Sequence, residues 1–163
     1  LSINEDNELL TGRNLRLITI WATSTGEIKR NITADPTGVI VIIINNQNEL
    51  ISGGQEDPNI KIWNMKTGQE IRRLIGHTFS VRDLIINKNN ELISASTDGT
   101  IKIWNMTTGE IKMNITGHTG VIFSIVINDN NELISGSQDR TIRVWNMTTG
   151  EAKKVILTGH TAN

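Results

Sequence analysis

The chain has 163 residues, of which 37% are hydrophobic and 20% are charged, and it contains no cysteine. This length and composition favour a globular domain with a sizeable core. The net charge of −1 comes without a basic stripe and argues against a nucleic-acid partner. The missing cysteines exclude a disulfide framework and a cysteine-based zinc site.

The apolar runs are all too short for a membrane-spanning helix, which needs about 20 residues. The longest run, Val39 to Ile44, has the length of a strand. The chain begins at Leu1 without a methionine or a basic leader, so we expect no signal peptide. With the missing cysteines, this predicts an intracellular, cytoplasmic protein that has no membrane partner.

Three sequence markers recur in the same order along the chain. Tryptophan occurs at positions 21, 63, 104 and 145, so that its spacings are 42, 41 and 41 residues. The string NEL begins at positions 7, 48, 90 and 131, and TGE or TGQ has its glycine at 26, 68, 109 and 150. The chain is therefore predicted to hold four repeats, approximately 1–34, 35–76, 77–117 and 118–159, with residues 160–163 starting a further repeat.

Each repeat divides into four short strands, as the third repeat shows. Val81 to Asn87 is apolar and β-forming, and Leu92 to Ser96 follows it after a turn. Asp98-Gly99 is a strong hairpin signal and leads into a third strand, Thr100 to Asn105. Glu110 to Ile115 is the fourth. No window shows a helical period, so the fold class is predicted to be all-β.

A four-stranded sheet has two faces and cannot bury either face alone. Stacking such sheets around an axis buries both, and a period of about 40–45 residues with four strands is typical of a β-propeller blade. We therefore predict a β-propeller of four-stranded antiparallel blades, with four blades visible in this chain.

The sequence resembles the WD-repeat family. The residues that carry the resemblance are Gly76-His77, Gly117-His118 and Gly159-His160, together with Trp63-Asn64, Trp104-Asn105 and Trp145-Asn146. The usual Trp-Asp of the family is Trp-Asn here. The resemblance implies a propeller that acts as an interaction platform, and we expect neither a cofactor nor a metal.

The two ends of the chain match the same innermost strand. Leu1 to Asn4 aligns with Ile125 to Asn128, and the residues from Gly159 onward start another unit. We therefore expect a partial ring, either as a segment of a longer protein or as half of an eight-bladed assembly of two copies. A half ring exposes two apolar blade faces, so self-association through them is expected.

Serine, histidine and aspartate recur together with the repeat tryptophan. The two complete sets are His77, Ser94, Asp98 and Trp104, and His118, Ser135, Asp139 and Trp145. The family resemblance implies a structural tetrad, in which the indole donates to serine, serine bonds histidine and histidine bonds aspartate. The alternative is a serine hydrolase with histidine as base and aspartate as orienting residue. The structural role is favoured, because the set occurs twice and no glycine-flanked elbow presents the serine.

The first two repeats depart from this pattern. Asp35 stands at the histidine position of the second repeat, while Leu15 and Thr11 stand at the aspartate and serine positions of the first. Two carboxylates, Asp35 and Asp57, cannot bond as histidine and aspartate do. We therefore expect side-chain hydrogen bonds of this kind to stabilise the first two blades less well.

Loops at one rim of a propeller often carry function, because blades hold them in place. The family resemblance implies contact where first strands begin and second strands end. The matching positions are Phe79, Ser80, Arg82 and Thr97, then Val121, Phe123 and Gln138, and in the second repeat Gly38, Ile40 and Glu56. Aromatic and arginine side chains are the usual interface anchors. The predicted function is a non-enzymatic scaffold that binds a protein or peptide, and a purely architectural spacer is the remaining alternative.

Overall fold

A computed structural model of the chain describes residues 2–4, 6–12, 16–34 and 37–157. Within these residues the regular elements are all β-strands, and they form four antiparallel sheets of four strands. The strand order in each sheet follows the order along the chain. The prediction of an all-β chain with four such sheets is confirmed. The described residues contain no helix that could cross a membrane.

Sheets 1 and 2 lie in the first of two compact units, which ends at Val81. Sheet 1 consists of β1 (Ser2–Ile3), β2 (Glu8–Thr11), β3 (Leu17–Ala22) and β4 (Ile28–Thr33). Sheet 2 consists of β5 (Val39–Ile44), β6 (Glu49–Gly54), β7 (Ile60–Asn64) and β8 (Glu70–Leu74). Buried side chains from both sheets form one core: Leu10, Ile18, Ile20 and Ile32 from sheet 1, and Val39, Ile42, Leu50 and Trp63 from sheet 2.

Sheets 3 and 4 make up the second unit, whose boundary at Arg82 falls within β9. Sheet 3 consists of β9 (Val81–Ile86), β10 (Leu92–Ser96), β11 (Ile101–Trp104) and β12 (Ile111–Ile115). Sheet 4 consists of β13 (Ile122–Ile127), β14 (Leu133–Ser137), β15 (Thr141–Trp145) and β16 (Ala152–Leu157). Their common core is formed by Ile93, Ala95, Ile101, Ile103 and Ile115 from sheet 3, and by Ile122, Ile125, Leu133 and Trp145 from sheet 4.

Alternation along the strands assigns each side chain to one face of its sheet. In sheet 3, Ile93 lies opposite Ile103 on one face, while Leu92 lies opposite Trp104 on the other. Both faces are buried along β11, including Lys102, which is 7% exposed. Its Nζ donates to Asn114 Oδ1 at 2.6 Å. A lysine in the alternating pattern therefore does not mark a solvent-facing side here.

The hairpin between the first two strands has the same construction in every sheet. Its tip is an asparagine in the left-handed region, with φ between 56° and 59°, a conformation that asparagine tolerates better than most residues. A second asparagine accepts a bond from the backbone N–H of the glutamate four residues later. In sheet 4, Asn128 Oδ1 lies 2.9 Å from Glu132 N, and Asn128 Nδ2 donates to the Glu132 carboxylate at 3.0 Å. This construction explains why NEL recurs.

The turn after the repeat tryptophan uses asparagine as an acceptor. In sheet 3, Asn105 Oδ1 accepts bonds from the backbone N–H groups of Thr107 at 2.8 Å and Thr108 at 3.1 Å. Gly109 then adopts φ of 79° and donates to the Asn105 carbonyl at 2.8 Å. Asn64 and Asn146 make equivalent side-chain bonds. A carboxylate would supply the same acceptor oxygen, so Trp-Asn serves this turn as Trp-Asp would.

Replacing Asn105 with alanine should lower the free energy of unfolding by about 1 kcal/mol, because the N–H groups of Thr107 and Thr108 lose their acceptor. Asn105→Asp keeps that oxygen and should stay within about 0.5 kcal/mol of the parent. Urea unfolding, followed by tryptophan fluorescence, measures both variants. Equal losses would contradict the acceptor role.

Candidate functional site

One side-chain hydrogen bond is common to all four sheets. The indole N–H of the repeat tryptophan, on the third strand, donates to a hydroxyl on the second strand at 2.8 Å. The four pairs are Trp21 with Thr11, Trp63 with Ser52, Trp104 with Ser94, and Trp145 with Ser135. In sheet 1, Thr11 is the acceptor of the indole N–H, whereas a serine is the acceptor in the other three sheets.

In sheet 4 this bond continues into a chain of four side chains. His118 precedes β13, Ser135 lies on β14, Asp139 lies in the turn before β15, and Trp145 ends β15. His118 Nε2 lies 2.7 Å from Ser135 Oγ, and His118 Nδ1 lies 2.7 Å from Asp139 Oδ2. The His118 ring also meets the Trp145 ring edge-on, with centroids 5.6 Å apart. The turn that holds Asp139 is thereby tied to the buried strands.

The acceptors fix where the protons lie. The Asp139 carboxylate can only accept, so His118 Nδ1 carries the proton and donates it. His118 Nε2 then accepts from the Ser135 hydroxyl, whose oxygen in turn accepts the Trp145 indole N–H. A neutral imidazole thus satisfies the whole chain of bonds.

Burial of the ring lowers the pKa of His118 below its ordinary value of 6.5, and the bond to Asp139 offsets only part of this effect. Burial alone would raise the pKa of Asp139. The hydrogen bonds from Thr141 and His118, and those from the backbone of Thr119 and Thr141, outweigh burial and hold that pKa far below the usual range. Both shifts favour neutral histidine beside ionised aspartate.

In the third repeat, Trp104 donates to Ser94, which has no exposed surface. Asp98 accepts from Thr100 through its backbone N–H at 2.8 Å and its hydroxyl at 2.7 Å. The same two bonds join Asp139 to Thr141 in sheet 4. His77 is 5% exposed and lies in the first unit. The role of this set as a structural tetrad stays a prediction.

In sheet 2 the aspartate at the tetrad position, Asp57, forms an ion pair with a lysine. Asp57 Oδ2 pairs with Lys61 Nζ at 2.8 Å, and Lys61 also donates to the carbonyl of Ala34 at 3.3 Å. Burial would raise the pKa of Asp57, but the bonds from Lys61 and Asn59 hold it below the ordinary value. The expectation of a loosely held second blade did not anticipate this buried ion pair. Asp35 and Leu15 lie outside the described residues.

The Ser-His-Asp geometry is close to that of a hydrolytic triad, but its surroundings differ from those of an active site. Ser135 is 1% exposed, and its oxygen already accepts the Trp145 indole N–H. A substrate carbonyl therefore has no open path to that oxygen. The described residues also contain no group of three or more histidine, cysteine, aspartate or glutamate side chains that could hold a metal ion.

Two of the predicted rim residues are in direct contact in sheets 3 and 4. The Arg82 guanidinium lies over the Phe123 ring, with its carbon 5.7 Å from the ring centroid. Phe123 is 50% exposed. It is the extra residue of a β-bulge, because Ile122 pairs with Ser137 and Ser124 pairs with Gly136. Bulges redirect side chains, and this one turns a phenylalanine outward beside two buried isoleucines, Ile122 and Ile125.

The other predicted rim residues differ in exposure. Phe79 is 61% exposed, and Gln138 and Glu56 are also exposed. Ser80, Thr97 and Val121 are half-buried, as is Ile40, which occupies the bulge of β5. Gly38 is buried, and its carbonyl accepts the Gln55 N–H at 2.9 Å. Gly38 thus shapes its loop, whereas Phe79, Glu56 and Gln138 offer side chains to solvent.

Asp83 has a role that the sequence reasoning missed. Its Oδ2 accepts from the Ser124 hydroxyl at 2.9 Å and from the Ile125 backbone N–H at 2.8 Å. It therefore ties the first strand of sheet 3 to the first strand of sheet 4, beside the Arg82–Phe123 contact. The available signal was a carboxylate next to Arg82 at the start of a strand that continues with three apolar residues.

Acid should weaken the second unit through His118. Because the folded pKa of His118 is lowered, the unfolded chain binds more protons as the pH falls below about 6.5, so the stability that neutral His118 provides is lost there. The lowered pKa of Asp139 acts in the same direction as the pH falls below 3.8, the ordinary pKa of an aspartate.

We expect the free energy of unfolding to fall between pH 7 and pH 5 more steeply in the parent than in His118→Gln. Parallel profiles, measured by urea unfolding, would contradict this.

Two stretches of the chain, residues 68–105 and 109–146, match the family model described as WD domain, G-beta repeat. No curated protein matches the chain. Among solved structures, the WD40 β-propeller domain of Doa1 is similar over 96% of this chain, with a TM-score of 0.83 and 26% identity. The chain spans about half, 52%, of the length of that structure's chain. The repeats and the shared fold confirm the resemblance to the WD-repeat family: residues 68–105 and 109–146 match WD repeats, and the four sheets are blades of the WD40 β-propeller type.

Proposed function

We propose that this chain is a non-enzymatic scaffold whose Arg82 and Phe123 side chains bind a protein or peptide partner. WD40 propellers are in general platforms for protein interaction, which supports the broader part of the proposal. The observation that carries the specific part is the contact between half-buried Arg82 and exposed Phe123 at the bulge of β13.

The energetics of the contact favour an interface role. Phenylalanine has a large apolar side chain, so leaving it 50% exposed forgoes burial that a partner could supply. Arg82 lies over one face of the ring, which fixes the guanidinium without pairing it to the adjacent Asp83, whose Oδ2 is bonded to Ser124 and Ile125. Anchors held in place before binding lose less side-chain entropy when a partner arrives.

The chemistry of the pair indicates the kind of partner. Arg82 presents donors that suit a carboxylate, and the exposed part of Phe123 suits an apolar side chain. A peptide segment with an acidic residue next to an apolar one would satisfy both. Phe79 is 61% exposed and offers a second aromatic surface in the first unit.

The binding proposal is tested by capture from native lysate with three immobilised proteins: the parent, Arg82→Glu with Phe123→Ala, and a control. The control, Ile111→Ala with Lys112→Glu, makes the same kind of change at exposed positions of the outer strand β12. We expect the rim variant to lose at least about 90% of the captured partner, which corresponds to a tenfold weaker interaction, and the control to retain it.

Equal capture by the folded rim variant and the parent would place binding elsewhere. Capture of nothing by the parent would instead favour the architectural spacer.

The non-enzymatic part is tested with a fluorophosphonate probe, which labels activated serines. We expect no labelling of the folded chain, because Ser94 and Ser135 are 0% and 1% exposed and each accepts an indole N–H. Labelling that disappears in Ser135→Ala, or in Ser94→Ala, would show a reactive serine and overturn the proposal.

A further inference from the structure

The same pair of sheet faces meets in both units of the chain. In the second unit, Ile93, Ala95, Ile101 and Ile103 on one face of sheet 3 pack against the sheet 4 face that carries Leu133 and Trp145. In the first unit, the corresponding face of sheet 1 packs against the sheet 2 face that carries Leu50 and Trp63. We call the isoleucine-rich side the leading face and the side with tryptophan and leucine the trailing face.

Sheet 4 has a leading face that the described residues of the second unit leave partly open. Two rows of cross-strand partners form this face. In one row Ile134 lies opposite Val144. In the other, Gly136 lies opposite Ile142, and Ile142 lies opposite Ile156. Ile134, Ile142 and Val144 are half-buried and Ile156 is 39% exposed. The matching residues in sheet 3 are at most 3% exposed, and they are Ile93, Ile101, Ile103 and Ile115.

The space beside this face is open. A groove of about 310 Å³ lies over it, lined in part by Gly136 and Ile142. A Cβ added to Gly136 would meet no atom within 4 Å, whereas one added to Gly12, its match in sheet 1, would lie 3.2 Å from Val39 of the covering sheet. The leading face of sheet 4 therefore lacks the neighbour that sheets 1 and 3 have.

Sheet 1 has the complementary trailing face, which the described residues of the first unit leave partly open. Ile3 lies opposite Leu9, and Leu9 lies opposite Trp21. Ile3 is 61% exposed, and Leu9 and Trp21 are half-buried. The corresponding leucines and tryptophans of the other three sheets are at most 5% exposed, and they are Leu50, Leu92, Leu133, Trp63, Trp104 and Trp145.

The packing of sheet 1 on sheet 2 also includes a polar contact at the end of the face. In sheet 1 the row Leu10–Ile20 ends at Arg30, whose Nη1 donates to the Met65 carbonyl of sheet 2 at 2.6 Å. In sheet 4 the row Ile134–Val144 ends at Lys154, which is exposed. The residue of sheet 1 that matches Met65 is Thr23, so its carbonyl is the corresponding acceptor for Lys154.

We infer that the leading face of sheet 4 binds the trailing face of sheet 1 in a second copy of this chain. The contact repeats a packing that the chain already uses twice, and it buries the apolar rows that each chain leaves open. A head-to-tail contact of this kind closes into a ring or continues as a filament. Two copies supply eight sheets, a number within the range of propellers.

The first experiment measures the mass of the purified chain by sedimentation equilibrium over a range of concentrations. We expect association, with the mean mass rising above 18.1 kDa as concentration increases. A mass that stays at 18.1 kDa throughout would overturn the inference, and would mean that these faces are covered by something other than this chain.

The second experiment distinguishes this contact from unspecific apolar association. Ile156→Lys alters the leading face and Leu9→Lys alters the trailing face, and each should weaken self-association at least about tenfold, because a charge enters an apolar contact. Ile71→Lys is the matched control, since Ile71 is 46% exposed on the outer strand β8 of sheet 2, which carries neither of these two faces. It should associate like the parent.

A mixture of the two face variants is the decisive sample. Each variant keeps one intact face, so the mixture should form a complex of one chain of each at concentrations where each variant alone, weakened at least about tenfold, stays monomeric. A mixture without such a complex, or a control that dissociates as the face variants do, would overturn the inference. Circular dichroism verifies folding. If Leu9→Lys does not fold, Ile3→Lys replaces it, because Ile3 is already 61% exposed.

Discussion

The hydrogen bond from an indole N–H to a hydroxyl on the next strand sets the geometry of each sheet. In sheet 4, Trp145 and Ser135 can bond only when they share a face, because a slip of one residue between β14 and β15 would move Ser135 to the opposite side. The same register places Ile134 and Val144 together on the other face. One polar contact thus fixes the apolar rows by which a sheet meets its neighbour.

Much of the fold could be predicted because the information is local and repeated. The asparagine hairpins, the glycine turns and the alternation of isoleucines each specify a hairpin from adjacent residues, and their recurrence marks four sheets. Burial of whole strands was less predictable. Lys102 and Lys61 occupy alternating positions that suggest solvent, yet they are 7% and 6% exposed. Their partners are Asn114, directly opposite Lys102 on β12, and Asp57, four residues before Lys61. Alternation within a single strand does not reveal either partner.

For the candidate site, the sequence indicated which residues to examine, but it did not determine their contacts. The spacing of serine, histidine and aspartate alone fits catalysis as well. The repetition of the set favoured a structural role, and the burial of Ser135 supports that role in sheet 4. The bulge in β13 changes the phase of alternation at Phe123. Asp83 reaches Ser124, 41 residues away, through packing between sheets. Neither the bulge nor this packing follows from a pattern within one repeat.

The pairing of every strand with its predecessor keeps the strand contacts of each sheet local in the sequence. No sheet waits for a distant segment, so loop closure is short and each sheet can form as soon as its last strand leaves the ribosome. The apolar face of a sheet is buried later, when the next sheet has been synthesised. Sheet 3 displays Ile93, Ala95 and Ile101 until residues 122–145 arrive to cover them. During synthesis, that interval leaves this apolar face open to aggregation or to a chaperone.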